Sequence, residues 1–209
     1  MDNNKIFLRG FELEDYILIN KWRNDPEIQN LLSGNFRYVS SEIEKEWVKQ
    51  KMMNNTKELY LAICLAEGGC EMIGYTSINN IDYINRCAHG GGIIIGNRQY
   101  RDGEIRYEVG KMIRELVFDH MNLNRFTGAC LAEHKTSKIM MEACGFQLEG
   151  VKRQAVYKNG IYHDQLFFSL LREDYYKLMQ EGEYTLKAYA KRIKSIRKHR
   201  YIKRKQSRR

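Results

Sequence analysis

The sequence predicts an α/β fold, and three observations carry that prediction. Residues 90–146 alternate apolar runs, polar turns and helical periods in the order strand, loop, helix, strand, helix. Ahead of them, two helical patterns lead into two apolar strand-like runs. Behind them, the dipeptide Asn159-Gly160 separates two extended runs, as in a hairpin whose two turn residues take positive φ.

Residues 5 to 9 form the first strand. Leu13, Tyr16, Ile17, Ile19 and Trp22 make the apolar side of a helix over 12 to 23. Asn24-Asp25-Pro26 ends it, because proline disfavours helix at the residue before it. Residues 27 to 39 are a short helix or loop around Gly34. Ser41 with Glu44 has the spacing of a capping box, opening a helix with Ile43, Trp47, Val48 and Met52. Leu59 to Leu65 is the second strand, Glu67-Gly68-Gly69-Cys70 a turn, and Met72 to Ile81 the third strand. Asp82 to Gly92 leads into a fourth strand that has His89 at its start and closes with Ile93-Ile94-Ile95.

After Gly96 a polar loop runs from Asn97 to Gly103. The next helix begins at Glu104, with Ile105, Val109, Met112, Ile113, Leu116, Val117 and His120 at spacings of three and four. Phe126 to Leu131 is a fifth strand. A helix entered through Glu133-His134-Lys135-Thr136-Ser137 closes at Gly145. Glu149 to Lys158 and Ile161 to Leu171 form the hairpin. Residues 172 to 186 form a helix with Tyr175, Leu178 and Met179 packing back. From 187 onward there are helical stretches with little apolar face, a composition that disfavours independent folding.

A loop running from a strand end into a helix start presents free N–H groups and the positive end of the helix dipole, and so suits a phosphate. Arg98, Arg101 and Arg106 suit an anion of several charges. Neither G-x-G-x-x-G nor G-x-x-x-x-G-K-[ST] occurs, which counts against nicotinamide and ATP sites.

Hydrophobic residues make up 43% of the 209, enough for a core. No run is long and apolar enough for a transmembrane helix, and the first residues contain no apolar signal core, so a cytoplasmic protein is expected. The five cysteines are odd in number and lack metal-type pairing; Cys64, Cys130 and Cys144 lie in apolar contexts, as buried small hydrophobes. Between Lys187 and Arg209 stand 12 basic residues and no acid. Removing those 12 from the chain's 35 leaves 23 basic residues against 26 acids, so the tail carries the whole basic excess.

These elements, in this order, resemble the GNAT (GCN5-related) N-acetyltransferase superfamily, and within it the RimJ/RimL-like branch. The resemblance covers roughly residues 5 to 175. It rests on Ile6-Phe7-Leu8-Arg9, Glu12-Leu13-Glu14-Asp15, Trp22-Arg23-Asn24-Asp25-Pro26, Met72-Ile73-Gly74 and the segment from Ile95-Gly96 to Gly103. Asn124-Arg125, Ser137 eight residues before Gly145-Phe146, Gly150-Val151, Asn159-Gly160 and Asp164 complete it. The sequence departs from the family pattern at several positions. Only Gly103 of the loop's usual glycines is present, His134 stands for the usual Asn, Met141 for a frequent Tyr, and Gly90 for a frequent Glu base.

The resemblance implies a GNAT domain over 1–175: a central mixed, mostly antiparallel sheet flanked by helices. Residues 176–209 then form a helical, strongly basic C-terminal extension. It implies direct transfer of an acetyl group from acetyl-CoA, as co-substrate, to a primary amine, with no metal and no covalent enzyme intermediate. The acceptor would be a protein N-terminus, a polyamine, an amino sugar or an antibiotic. The negative body favours a cationic small amine, and the basic tail a ribosome-associated protein.

Cofactor contacts fall to the backbone near Ile94 or Ile95, to the amides of Arg101, Asp102, Gly103, Glu104, Ile105 and Arg106, and to His134 and Ser137. Ser137 is the candidate partner of the leaving thiolate. For the base, His89 and Asp82 compete, with His163-Asp164 a further pair that could face the groove; Tyr157 and Tyr162 could line the acceptor site. The tail is either a solvated extension or an anchor to an acidic surface such as RNA, the ribosome or anionic lipid, and Tyr189 and Tyr201 interleave with its bases. A homodimer is common in the family. The rival function is a catalytically impaired GNAT scaffold that serves as a binding module, its tail on RNA or ribosome.

Overall fold

The computed structural model describes residues 5–32, 34, 37–67 and 69–206; Gly68 of the expected turn, three positions of the 27–39 segment, the Tyr201 side chain and residues 207–209 lie outside the described residues. Seven strands build one sheet: β1 Ile6–Gly10, β2 Leu59–Leu65, β3 Met72–Asp82, β4 Cys87–Ile95, β5 Arg125–Leu131, β6 Gln147–Lys158 and β7 Ile161–Leu171. Their order is β1-β2-β3-β4-β5-β7-β6. Every neighbouring pair is antiparallel except β4–β5. This is the mixed, mostly antiparallel sheet expected. Asn159 and Gly160 take φ of 51° and 82° at the β6–β7 turn, the positive values the dipeptide predicts.

Strand alternation sorts side chains between two cores. On one face Leu61, Ile63, Ile73, Ile78 and Ile95 meet Ile105, Val109 and Ile113 of helix α4 (Gly103–Glu115). Those helix residues recur at four-residue intervals, and each buried aliphatic side chain contributes about 1.5–3 kcal/mol. On the other face Ala62, Cys64 and Tyr75 meet Ile19 and Trp22 of α1 (Tyr16–Arg23), Ile28 of α2 (Pro26–Leu31) and Val48 of α3 (Ser41–Met53).

Three helical expectations change. The cap of α3 is Ser40, whose hydroxyl accepts from Ile43 N–H, and not Ser41. Glu44 closes no capping box; it is fully buried and ion-paired to Arg23 at 3.2 Å. The expected helix over 172–186 ends early, as α6 (Arg172–Gln180), because Gly182 turns the chain at φ 68°; Met179 is exposed rather than packed. The basic tail is one continuous helix, α7 (Leu186–Gln206). Tyr189, Ile193 and Ile196 pack it against Tyr107 of α4 and against Ala143 and Cys144 at the end of α5 (Lys135–Ala143). Arg192 donates to the Ala143 carbonyl at 2.7 Å, and Arg200 forks onto Glu142 at 2.7 Å.

The feature that makes a site is a divergence inside the sheet. β4 and β5 pair at Cys87–Arg125, Ala88–Phe126 and His89–Thr127, and no further. Beyond His89, residues 90 to 93 of β4 span what 76 to 78 of β3 span, so β4 carries one extra residue. The bulge is seated by Gly92 at φ 93°, a conformation open to glycine. Thr76 holds it by donating to the Gly92 carbonyl at 2.9 Å.

Candidate active site

Where β4 and β5 part, a cleft of ≈ 1090 Å³ opens. Of the residues singled out from the sequence, His89, Ile94, Ile95, Arg101, Arg106, His134 and Ser137 line it; Asp82, Asp102, Gly103, Glu104 and Ile105 do not.

β4 turns alternate backbone groups toward the cleft. The Ile94 carbonyl faces β3, standing 2.2 Å from where a Cβ on Gly74 would lie. The Ile93 and Ile95 carbonyls face the other way and accept from Arg106 at 3.2 Å and Arg101 at 2.9 Å. The open backbone edge in the cleft therefore belongs to Ile93 and Ile95, and Ile94 offers its side chain alone.

At the start of α4, the Asp102 side chain caps the helix by accepting from Ile105 N–H at 2.7 Å. This removes the Ile105 amide from the donors expected there, and the Ile105 side chain is buried in the core. The first-turn N–H groups of Gly103 and Glu104 have no helical acceptor. The Glu104 carboxylate pairs with Lys5 at 2.9 Å. Arg101 also reaches the Gly96 carbonyl at 3.1 Å, tying the loop back to the strand end. Arg98 leans on Glu27 at 3.0 Å. These residues fit a CoA-type ligand: a free helix start for a diphosphate, two adjacent guanidinium groups, and an unpaired strand edge for an amide-bearing arm.

His134 takes over the cap of α5. Its Nδ1 accepts from Ser137 N–H at 3.2 Å, so that nitrogen carries no proton in this arrangement. An Asn side chain supplies the same acceptor, which explains why a histidine can stand there. The Ser137 hydroxyl has no hydrogen-bond partner among the described residues and lines the cleft. Met141 packs against Cys130, Leu166 and Phe168 and has no proton to give.

Ala88 and Phe126 belong to the core under α4. Their neighbours His89 and Thr127 therefore face the opposite side, toward α1–α3. A Cβ on Gly90 would stand 3.0 Å from the Phe126 ring, so an acid at that position would meet the α4 core. His89 thus needs no bulge to reach the groove. The Thr127 hydroxyl donates to the Ala88 carbonyl at 3.1 Å and can then only accept from His89 Nδ1 at 2.9 Å. That places the imidazole proton on Nδ1 and leaves Nε2 with a free lone pair. Burial, and then the Lys152 charge, lower the His89 pKa below its ordinary value.

The other base candidates are engaged elsewhere. Asp82 closes the β3–β4 turn, accepting from Ile84 and Asn85 N–H at 2.9 and 2.8 Å, and the bonds from Asn85 hold its pKa low. His163 bonds the Lys158 carbonyl at 3.1 Å through Nε2 and meets the Glu133 carboxylate through Nδ1. Asp164 accepts from Gln154 N–H at 2.8 Å. Tyr157 and Tyr162 are exposed and pack against each other, their rings tilted by 57° with centroids 5.0 Å apart.

The cleft has walls the sequence reading missed. Tyr75, Ser77 and Asn79 project from alternate positions of β3, a period-two pattern that was available. Tyr107, Gly110 and Arg114 line it at positions i, i+3 and i+7 of α4. Tyr189 reaches it from α7, its ring 4.6 Å from that of Tyr107. The Tyr107 and Tyr189 hydroxyls and Arg114 Nη2 are buried without a hydrogen-bond partner among the described residues.

A strand pair that parts above a helix start, with a free backbone edge in the gap, defines an acyl-CoA-type cleft. The chain belongs to the GNAT acetyltransferase family: the model described as "Acetyltransferase (GNAT) domain" matches residues 5–147. YdaF of Bacillus subtilis (strain 168), which carries the name of a ribosomal N-acetyltransferase, is 29% identical over 112 residues. That match covers 54% of this chain and 57% of the relative, so the chain spans little more than half of YdaF's length. The uncharacterized N-acetyltransferase p20 of Bacillus licheniformis is 27% identical over 172 residues, 82% of this chain and 95% of that one. Among solved structures, a spermidine N-acetyltransferase from Vibrio cholerae, in complex with CoA and spermine, aligns with a TM-score of 0.75. It shares 22% identity and covers 83% of this chain and 99% of its own, a likeness of fold.

Proposed function

We propose that this protein transfers an acetyl group from acetyl-CoA to a primary amine by direct attack. The observation that carries the reading is the parting of β4 from β5 after His89, which leaves Ile93 and Ile95 without a strand partner on the cleft side, their carbonyls held by Arg106 and Arg101. The free amides of Gly103 and Glu104, with Arg101 and Arg106 beside them, would hold the diphosphate. The thioester, when bound, supplies the activated acetyl carbon.

The amine nitrogen forms its bond to that carbon as the carbon–sulfur bond breaks. Ile95 N–H is suited to receive the charge that develops on the carbonyl oxygen. His89 Nε2, neutral and with its lone pair free, takes the proton the amine loses. Ser137 Oγ–H donates to the departing thiolate. His134 acts through Ser137 by fixing the first turn of α5. Thr127 acts through His89 by setting its tautomer.

On the outward side of α7, Lys187, Lys191, Lys194, Arg197 and Lys198 are exposed while Tyr189, Ile193 and Ile196 face inward. That one-sided charge favours a further role for the tail against an acidic surface, such as RNA or the ribosome. Among the described residues no helix is long and apolar enough to cross a membrane.

Calorimetric titration with acetyl-CoA, paired with release of free CoA thiol in an amine panel, tests the reading. Wild type is expected to bind and to turn over. Gly103→Asp puts a carboxylate at the helix start and is expected to weaken acetyl-CoA by about tenfold or more. His89→Ala is expected to lower kcat by about 10²-fold with acetyl-CoA affinity kept. Tight acetyl-CoA binding without thiol release for any amine would favour the binding-module alternative.

A further inference from the structure

The charge of the acceptor end narrows which amine this cleft receives. On the α1–α3 side the walls are Arg23, Arg37, Tyr60, Tyr75, Ser77 and Asn79. Among the described residues lining the whole cleft there are five arginines and not one Asp or Glu. A polyamine would bring several ammonium groups into this space with no carboxylate to receive them.

The acids nearby are already committed. Glu44 lies fully buried behind Arg23, paired at 3.2 Å. Burial opposes its ionisation and raises its pKa, so it offsets the Arg23 charge incompletely. Asp25 and Glu27 stand against Arg98 at 3.6 and 3.0 Å. Glu133 is paired with His163.

The cations there are less well matched. Arg37 is exposed and has no acidic partner among the described residues. Lys158 is 4% exposed. Its ammonium group donates to the carbonyls of Gln29 and Asn30 at 3.1 and 3.0 Å, and to that of Leu32, with no acid in ion-pair range. Gln29 and Leu32 are themselves walls of the cleft. Arg23 is held over the Trp47 ring at 3.8 Å, so its guanidinium is fixed before any ligand arrives. Two guanidinium groups on this side of the cleft, one of them pre-positioned, suit an anion, while the Lys158 ammonium, its donors taken by three carbonyls, adds only its charge behind the wall.

We propose that the acceptor is a small primary amine that also carries a carboxylate or phosphate group. Arg37 and Arg23 receive the anion, which turns the amine inward toward His89 and the parted strands. This assignment rests on the acetyl-transfer reading and opposes the cationic acceptor that the chain's overall negative body suggests. The net charge of residues 1–186 is spread over the surface, whereas the cleft presents the opposite sign.

The test uses amines matched in all but the anion: β-alanine against propylamine and phosphoethanolamine against ethanolamine, with spermidine as the polycation. Each is titrated calorimetrically into the protein loaded with CoA, and each is assayed for thiol release with acetyl-CoA. The anion-bearing member of at least one pair is expected to bind and to turn over about tenfold or more better than its partner. The better pair separates carboxylate from phosphate. Arg37→Glu, at an exposed position, is expected to lower that preference by about tenfold while acetyl-CoA affinity stays unchanged.

Spermidine as the best substrate, or a preference untouched by Arg37→Glu, would overturn the proposal and leave acetyl transfer standing. Selective binding of the anionic amines with no thiol release would keep the anion receptor at Arg37 and Arg23 but remove the transfer reading, and with it the assignment of these amines as acceptors. Turnover of a short acidic peptide in preference to every small amine would also overturn it, in favour of a protein N-terminus.

Discussion

Helices α4 and α7 border the same cleft and are held in opposite ways. α4 buries Ile105, Val109 and Ile113 in the main core, along the stripe its sequence displays. α7 carries a basic residue in every turn and docks through Tyr189, Ile193 and Ile196, with Arg192 and Arg200 bonding the end of α5. Tyr189 is nonetheless 2% exposed. A few well-placed contacts can thus fix a helix whose composition argues for solvation, but they fix it less cooperatively. Loss of a core contact in α4 is felt by the whole fold, whereas loss of a contact in α7 can cost no more than the docking itself.

The largest effect that would sharpen this contrast is Ile113→Ala. It removes a side chain 4% exposed in the main core and is expected to cost about 2–5 kcal/mol of global stability, read from urea midpoints. Tyr189→Ala deletes a ring buried as deeply, yet is expected to shift the urea midpoint less. Its signature should be faster amide exchange confined to α7. An equal drop in midpoint for both variants would make the two helices one cooperative unit and break the comparison.

Deleting residues 187–209 removes a wall of the cleft and uncovers Tyr107 and Ala143. The body is expected to stay folded, with acetyl-CoA affinity reduced by about tenfold, which calorimetry would read.

The smallest effect belongs to neither helix. His89 has a folded-state pKa lowered from 6.5 by burial and by Lys152. The folded protein then binds fewer protons than the unfolded chain, so this contribution is complete above 6.5 and is lost as pH falls through the lower folded value. His89→Asn should flatten the fall in urea midpoint between about pH 7.5 and about pH 5. A slope unchanged by the substitution would assign the acid sensitivity to other groups.

The chemistry at the site follows the same division between local pattern and assembly. Of the cleft-lining residues picked out from the sequence, Arg101, Arg106, His134 and Ser137 belong to a strand-to-helix junction or a helix start, where sequence and backbone geometry are tightly coupled, whereas His89 was picked out on strand β4 by its chemistry. Asp82 was misjudged because a carboxylate near a strand end looks the same whether it faces a substrate or closes its own turn. Three N–H donors within four residues decide for the turn. Ile94 was chosen over Ile93 because the direction of a strand's backbone groups depends on its neighbour's register, and the bulge at Gly92 sets that register.

The sequence by itself determined the elements, the strand–loop–helix–strand–helix centre, the hairpin at Asn159-Gly160 and the family resemblance. All of these depend on periodicity and turn chemistry within a few residues of one another. Only the tertiary structure decided where β4 leaves β5, that His89 faces the α1–α3 side, that Glu44 is buried behind Arg23 and that Tyr189 closes the cleft. Those facts depend on which distant side chains meet, and no local pattern encodes a meeting between residues far apart in the chain. The charge of the site is the clearest instance. Counting residues gives a negative body, but the sign a substrate meets is set by the side chains that folding turns inward.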